Sequence, residues 1–322
     1  MNRIAAILMA VALFVSAACQ RKDLLDPHDH FNLIIKASFD ENGRQQLLTN
    51  KSSYAPLGEP ASTKYILFEK NSQKIAYSGS FAGMQGGMYV QEGIYDLLLY
   101  TSDFNELDAN FYRGMDKYET AETYTRQNPI DDVAPRNDVT EVYMVEPDPT
   151  FAVLEKDVIV IAGYENQEVL VQFVQKSFKY YLTIKAKGLQ HIHTATMNIS
   201  GMYTSAFLTT DEHRMNEAGT QTLDLDIIRT DPDDPQGYGE LYGEFWSFGP
   251  NQREDITHSI TLHFINGDVI TMKLKEDLTS QIKELTKGGE IIVREVIEIK
   301  GPAGGFQPGV GDWNDTDVDI EL

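Results

Sequence analysis

Short runs of β-branched and aromatic residues, separated by Gly, Asn, Asp and Pro, recur along nearly the whole chain. Each run has the composition of a β-strand, and each separator has the composition of a turn. The runs are LIIKASF (33–39), KYILFEK (64–70), GIYDLLLYT (93–101), VTEVYMV (139–145), DVIVIA (157–162), EVLVQFVQ (168–175), KYYLTIKA (179–186), TATMNIS (194–200), SAFLTT (205–210), TLDLDII (222–228), ELYGEFWSF (240–248), EIIVREVIEI (290–299) and DVDIEL (317–322). Many short strands with regular turns favour β-sandwiches over a parallel α/β sheet. The sequence therefore predicts an all-β fold.

The clearest single element is the segment THSITLHFINGDVITMKLK, residues 257–275, which predicts a β-hairpin. Apolar side chains alternate with polar ones in both arms: Ile260, Leu262 and Phe264 before the turn, and Ile270, Met272 and Leu274 after it. Asn266-Gly267 between the arms predicts a type I′ turn, because both residue types tolerate a positive φ. We expect one face of this hairpin to be buried and the other to be solvated.

One segment shows a clear helical pattern. In EDLTSQIKELTKGG, residues 276–289, Leu278, Ile282 and Leu285 are spaced as i, i+4 and i+7. Acidic residues open the segment and Gly288-Gly289 closes it, which is typical of a helix start and stop. We therefore predict one short helix in the second half of the chain.

The length of the chain predicts two domains. A chain of 322 residues with 42% hydrophobic residues can form more than one core, since single domains have about 100–200 residues. An acidic connector, VEPDPTF, precedes a fresh series of strands, so we predict β-sandwiches at 31–170 and 171–300. Residues 301–322 are predicted to be a Gly-rich linker followed by a strand.

A second connecting segment has a different composition. Residues 103–138 are polar and rich in Tyr, and they carry Arg113, Arg126 and Arg136. They predict a long loop, and such loops in compact domains are usually functional or mobile.

The N-terminus has the layout of a secretory signal. Arg3 precedes the apolar run from Ile4 to Ala18, which is shorter than the roughly 20 residues that span a membrane. Small residues then precede Cys19 and resemble a bacterial lipobox, although Ser16 stands where Leu is usual. We expect residues 1–18 to be a signal peptide and 19–30 a tether, lipidated (palmitate) on Cys19, because two or more acyl chains suffice for stable anchoring. The alternative is an ordinary signal peptide whose cysteine is incidental.

Charge and motif content exclude several classes of function. The formal net charge of −22 disfavours binding to nucleic acid, because such a surface repels phosphate backbones. The sequence contains no phosphate-binding loop, no G-x-S-x-G and no H-E-x-x-H motif, so we expect no cofactor and no enzymatic activity. An enzyme that gathers acids from distant strands is the least favoured alternative.

Metal and sugar sites have weak candidates. His191 and His193 are predicted to share one face of a strand, but without a neighbouring acid or cysteine cluster a surface pair is the better interpretation. The acidic segment DPDDP at 231–235 lacks the spacing of a calcium loop, so we interpret it as a solvated turn. The aromatic residues that could stack on sugars are Tyr112, Tyr118, Tyr124, Trp246 and Trp313, although core or loop anchors are the simpler interpretation.

Several segments, taken in order, resemble the fimbrillin-related lipoproteins of Bacteroidales. They are Cys19 with its charged tether, RKDLLDPHDHFNLIIKASFD, GIYDLLLYTSDFN, VYMVEPDPTFA, KYYLTIKAKGL, DLTSQIKEL and the tail GDWNDTDVDIEL. Together they cover nearly the whole chain after the signal. The similarity is closest to the anchor-type and minor subunits of type V fimbriae, or to a related uncharacterised lipoprotein family.

The resemblance implies two tandem transthyretin-like β-sandwich domains. In polymerising subunits of the family, a protease cuts after an Arg and frees the first strand, and a partner's strand then fills the groove by β-strand addition. Anchor subunits keep the first strand. Arg44, in DENGRQQ just beyond the first strand, is a candidate for such processing, with an ordinary turn residue as the better interpretation.

Our sequence-based prediction of function is a lipid-anchored protein of the outer membrane or cell surface that acts in adhesion as a fimbrial subunit or anchor. Its partners are expected to be the membrane, through the lipid, and other fimbrial subunits. In the tail, Val318, Ile320 and Leu322 alternate with acids and form a candidate donor strand, while strand 33–39 lines a candidate acceptor groove. The alternative is a glycan- or ligand-binding surface lipoprotein of a nutrient-uptake system.

Overall fold

The computed structural model describes residues 31–48, 58–104, 109–125, 142–214 and 216–300, and the protein is almost entirely β in these parts. The all-β prediction is therefore confirmed. The strands are β1 (Leu33–Phe39), β2 (Ser62–Glu69), β3 (Ile75–Ala82), β4 (Gln85–Met88), β5 (Gly93–Asp103), β6 (Asn110–Arg113), β7 (Glu122–Thr125), β8 (Tyr143–Met144), β9 (Phe151–Val160), β10 (Gln167–Gln175), β11 (Phe178–Lys187), β12 (Ile192–Tyr203), β13 (Ser205–Phe207), β14 (Ala218–Arg229), β15 (Gly239–Ser247), β16 (His258–Phe264), β17 (Val269–Met272) and β18 (Gly289–Glu298). The helices are α1 (Glu41–Leu48) and α2 (Thr279–Glu284).

The first sheet has seven strands in the order β3-β2-β5-β9-β10-β1-β4. It folds over on itself at a corner, because β9 and β10 pair only at Ala152 with Val174 and at Phe151 with Gln175. The two layers enclose a core to which β1, β5, β9 and β10 all contribute. Its fully buried members include Leu33, Ile35, Leu97, Leu99 and Phe151.

The second sheet has eight strands, with β17-β16-β12-β14-β15-β11-β18 in a row and β8 paired to β14. Its last strand, β18, runs parallel to β11, and the other long pairs are antiparallel. Alternating apolar residues of these strands and helix α2 form a separate, larger core. The boundary predicted near residue 170 falls inside β10, and the chain passes from the first sheet to the second at Lys176 and Ser177.

A third sheet of three strands, β13-β7-β6, replaces much of the loop predicted at 103–138. The prediction of a loop is wrong for β6 and β7, because both arms pair with each other and β7 also pairs with β13 from the second half of the chain. This small sheet covers a third apolar cluster on the outer face of β2 and β5, which includes Phe68, Leu98 and Leu208. Arg126 and Arg136 lie outside the described residues.

The predicted hairpin at 257–275 is confirmed, with β16 paired to β17 from Ile260–Met272 to His263–Val269. Its turn differs from the prediction. Gly267 has φ of 92°, but Asn266 does not have a positive φ, and the N–H of Gly267 donates to the carbonyl of Phe264 at 3.0 Å. This is a type I turn followed by a left-handed glycine, the common three-residue alternative to a type I′ turn.

Of the two helices, α2 matches the predicted segment, with Leu278 and Ile282 buried in the second core. Helix α1 was not predicted. Asp40 caps its start, since its Oδ1 accepts a hydrogen bond from the N–H of Gly43 at 2.7 Å. Among the residues that the structure describes, no helix has the length and apolar character needed to cross a membrane.

Candidate assembly surface

Strand β1 is an interior strand of the first sheet. It pairs in parallel with β10 from Leu33–Gln167 to Phe39–Phe173, and its other edge pairs with β4. Leu33 and Ile35 point inward and are completely buried. Removing β1 from the sheet therefore leaves a groove with an apolar floor and a row of unpaired backbone groups on β10, which is what strand addition requires.

Both ends of β1 are fastened by side chains. At the start, the amide of Asn32 donates to the carbonyl of Val90 at 2.6 Å and accepts from the N–H of Val90 at 2.9 Å. At the end, the ring of Phe39 packs against those of Phe151 and Phe173, with centroids 4.6 and 5.7 Å apart. Burying aromatic and aliphatic side chains of this size contributes about 1.5–3 kcal/mol each, so β1 is a strongly held part of the core.

Arg44, the candidate processing residue, lies on helix α1 and is exposed. The interpretation of Arg44 as a turn residue is therefore wrong: Asp40 starts a helix, and the backbone N–H of Arg44 donates to the carbonyl of Asp40 at 3.0 Å. Leu47, one turn further on, is only 3% exposed in the first core. The helix thus holds Arg44 at the surface while its other face is packed.

Helix α1 also contacts the second half of the chain through Gln46. The Oε1 atom of Gln46 accepts from the N–H of Lys179 at 3.0 Å and from Nε2 of Gln175 at 2.6 Å. Its Nε2 atom donates to the carbonyl of Lys287 at 3.0 Å. The segment that follows the first strand therefore lies at the junction of the two large sheets.

The third sheet carries a buried carboxylate that binds side chains from both halves of the chain. Glu122 is completely buried and receives hydrogen bonds from Arg113 at 2.7 Å and from Arg214 at 2.8 Å. Arg113 also bonds Glu217 at 2.5 Å. Burial acts to raise the pKa of Glu122, but the hydrogen bonds from the two arginines lower it overall. The network therefore ties β6 and β7 to Arg214 and Glu217 of the second half.

Two further polar side chains lie nearby, Lys176 buried and His213 half-buried. His213 stacks on the ring of Tyr203 at 4.3 Å, its Nδ1 lies 3.0 Å from the carbonyl oxygen of Ser205, and burial lowers its pKa. Lys176 donates to the carbonyl of Thr210 at 2.8 Å, and burial lowers its pKa. His213 thus fixes the loop between β13 and β14 to β12 and β13, and Lys176 binds the same loop at Thr210.

The other predicted side chains are not brought together. Cys19, Val318, Ile320, Leu322 and Trp313 lie outside the described residues. His191 ends a 3₁₀ turn and His193 lies on β12, so the prediction that they share a strand face is wrong. In the described part of the chain, no group of three or more His, Cys, Asp or Glu residues could hold a metal ion.

The aromatic and acidic candidates have internal contacts. Tyr112 packs on Tyr100 with ring centroids 4.8 Å apart, and Trp246 is only 7% exposed in the first core. In the DPDDP segment, Asp231 and Asp234 accept hydrogen bonds from backbone N–H groups of the same turn. Tyr112 and Trp246 therefore pack inside the fold, and the DPDDP segment forms a turn with its own side-chain hydrogen bonds.

Comparison with known proteins gives a family and a shared fold. The family model described as "Domain of unknown function (DUF5119)" matches residues 18–224, and no curated protein matches the chain. The chain is similar to the crystal structure of a candidate adhesin from Bacteroides ovatus, with a TM-score of 0.56 and 17% identity over 88% of this chain and 97% of that one. This likeness shows that the two chains share a fold.

Two more distant solved structures are also similar in outline. One is a candidate adhesin from Bacteroides thetaiotaomicron, with a TM-score of 0.48 and 9% identity over 84% of this chain and 92% of that one. The other is the fimbrial anchor protein Mfa2 from Porphyromonas gingivalis, with a TM-score of 0.45 and 11% identity over 81% and 88% of the two chains.

Proposed function

Because the chain belongs to the DUF5119 family and shares its fold with a candidate adhesin, we propose that it is a non-enzymatic cell-surface lipoprotein that acts as a fimbrial subunit or anchor. In this proposal the lipid on Cys19 holds the body at the outer membrane, and residues 19–30 are the tether. The body consists of two transthyretin-like β-sandwich units. The pairing of β10 with the first sheet and of β11 with the second supports a division at Lys176 and Ser177.

The observation that carries the proposal is the position of β1. It is the first described strand, it is bounded on one side by the short β4, and it fills a position between β10 and β4 that accepts an extended strand. A body of this kind can join a neighbour without an active site. The alternating C-terminal residues Val318, Ile320 and Leu322 form the proposed donor strand, which this chain inserts into the groove of a partner subunit.

Within this proposal an anchor role, in which β1 is retained, is favoured over a polymerising role. A protease binds its substrate as an extended segment, and Arg44 lies on a helix whose residues Gln46 and Leu47 are held by the two halves of the body. Cleavage after Arg44 therefore requires local opening of α1. The chain is expected to keep β1 as long as this helix is closed.

The lipid is tested by mass spectrometry of the mature N-terminus from native membranes, with a Cys19→Ala variant as the control. The expected result is a diacylated Cys19 as the first residue in the native protein, with β1 still present. Labelling with a clickable palmitate should mark the native protein and leave the variant unmarked. An unlabelled native protein, or a variant that still fractionates with the envelope, contradicts lipid anchoring.

Strand addition needs a separate test, since a lipoprotein can lack it. Native complexes should be recovered with the full chain and with a variant that ends before residue 308. Loss of partner subunits from the shortened chain alone supports the donor role of the tail. Equal recovery with both chains contradicts that role and leaves the lipid result unaffected.

A further inference from the structure

Strand β18 lies at the outer edge of the second sheet. No strand pairs with its outer side among the described residues, and side chains bind the backbone groups there. Ile291 and Val293 point into the core, while Glu290, Ile292 and Arg294 point to solvent. Ile292 is 44% exposed. An exposed edge with apolar residues is a template for pairing with another chain unless something blocks it.

Gln281 of helix α2 blocks the centre of this edge. With its amide oriented so that both atoms are satisfied, Gln281 donates to the carbonyl of Ile292 at 3.3 Å and accepts from the N–H of Ile292 at 3.0 Å. A residue that faces a neighbouring strand in an antiparallel pair makes this same pair of bonds. The side-chain amide thus takes the place of one residue of a missing strand.

Two glutamates extend the block. The Oε2 atom of Glu276 accepts from the N–H groups of Arg294 and Glu295, at 2.7 and 3.3 Å. In return, the Oε2 atom of Glu295 accepts from the N–H groups of Lys275 and Glu276, at 3.1 and 3.3 Å. The segment before α2 and the edge of β18 are therefore joined by reciprocal bonds. We call Glu276, Gln281 and Glu295 the edge guard.

The first sheet has a similar arrangement where β9 and β10 diverge. Gln167 donates through Nε2 to the carbonyl of Ile159, and its Oε1 atom accepts from the N–H of Ile161 at 3.4 Å. These groups belong to the side of β9 that faces away from β5 and is not paired to β10 at this point. A side-chain amide thus takes the place of a strand partner at one point in each large sheet.

The blocked edge of β18 is complementary to itself. If two copies of β18 are placed antiparallel with Ile292 opposite Ile292, Glu290 of each copy lies opposite Arg294 of the other. All three side chains are exposed and lie on one face. Opposite charges placed across an antiparallel pair stabilise it, and like charges destabilise it. The register also uses the backbone groups of Ile292 and Arg294 that the edge guard now occupies.

We propose that β18 is a guarded pairing edge for a second copy of this chain. In the monomer, the edge guard holds the backbone groups of β18, and its release lets two copies join through antiparallel β18 strands. The two states compete for the same N–H and C=O groups, so each excludes the other. This inference is independent of the lipid and of the strand-addition groove at β1.

The first test removes the guard. The Glu276→Ala/Gln281→Ala variant is compared with Glu284→Ala/Gln172→Ala, which changes the same residue types at exposed positions. Light scattering coupled to gel filtration is expected to give a dimer for the guard variant and a monomer for the native chain and the control. At the dilution where the guard variant is monomeric, the amides of Ile292 and Arg294 should exchange with deuterium about fivefold faster. A guard variant that stays monomeric at all concentrations overturns the proposal.

The second test examines the register. Adding Arg294→Glu to the guard variant places like charges opposite each other and should abolish the dimer, and adding Glu290→Arg as well should restore it. A dimer that persists with Arg294→Glu alone overturns the proposed pairing. If circular dichroism shows that the double guard variant is unfolded, Gln281→Ala alone is used, and unchanged exchange at Ile292 in that variant overturns the guard.

Discussion

The side-chain oxygen of Gln46 accepts a hydrogen bond from the backbone N–H of Lys179 at 3.0 Å, which joins the helix after the first strand to the first strand of the second sheet. The same side chain bonds Lys287 and Gln175. Gln46 is therefore the point at which opening of α1 and loosening of the junction are coupled.

Replacing Gln46 should make Arg44 accessible to proteases. Gln46→Ala removes three hydrogen bonds at a partly exposed site, each contributing about 0.5 kcal/mol, so it is expected to raise trypsin cleavage after Arg44 about tenfold through local opening. Mass spectrometry of the fragment that begins at Gln45 measures this rate. Gln172→Ala, at an exposed position of β10 away from the cleaved bond, is the matched control and should cleave at the native rate. Equal rates in both variants contradict the coupling.

The first strand should contribute strongly to the stability of the first core. Ile35 is completely buried, and removing its side chain beyond Cβ is expected to lower the free energy of unfolding by about 3 kcal/mol. Urea unfolding of Ile35→Ala checks this value. Ser38→Ala, at an exposed position of the same strand, should change the free energy by less than about 0.5 kcal/mol. A small effect at Ile35 means that β1 is only loosely held.

The buried carboxylate of Glu122 should stabilise the third sheet. Glu122→Gln removes the charge that Arg113 and Arg214 share, and we expect a loss of about 2 kcal/mol, because both arginines are partly exposed and retain some hydration. Thermal or urea unfolding measures the loss. Glu240→Gln, on β15 and without a buried ion pair, serves as the control. A similar loss in both variants rules out a special role for the Glu122 network.

His213 should make stability depend on pH. Burial lowers its pKa, so the folded protein favours neutral His213, and its contribution is complete above the ordinary value of about 6.5. As the pH falls through that value, the unfolded chain binds the proton first and the free energy of unfolding decreases. We expect His213→Gln to lose less stability than the native chain between pH 7.5 and 5.5.

A second variant, His258→Gln, tests the same effect at another position, because burial also lowers the pKa of His258 and should account for a separate part of the same pH dependence. Urea unfolding at each pH measures both. An identical slope in the native chain and in the His213 variant contradicts the assignment.

The local sequence was sufficient to predict the strands in which buried and exposed side chains alternate. In β16, Ile260, Leu262 and Phe264 are buried as the pattern predicts, because one face of the strand covers the second core. The position of the turn between β16 and β17 was predicted correctly, but the type of turn was not. Asn-Gly suits both a type I′ turn and a type I turn with a left-handed glycine, and the backbone register of β16 and β17 decides between them.

Other parts depend on contacts that are distant in sequence. Helix α1, ENGRQQLL, has little apolar periodicity, and the contacts of Gln46 with Lys179 and Lys287 help to hold it. Strands β6 and β7 are rich in polar residues. The burial of Glu122 depends on its hydrogen bonds with Arg214, which comes from the second half of the chain. The Tyr and Thr content of NFYR and ETYT was the one local signal for these strands.

The parallel pairing of β1 with β10 decides how the body responds to tension. Leu33 and Gln167 lie together at one end of the pair, and the chain leaves β10 for the second sheet at the opposite end, beyond Phe173. A pull between the N-terminal side of β1 and the second sheet is therefore directed along the strands. It loads the whole ladder of bonds at once in shear, whereas a pull from one end would peel them apart in sequence.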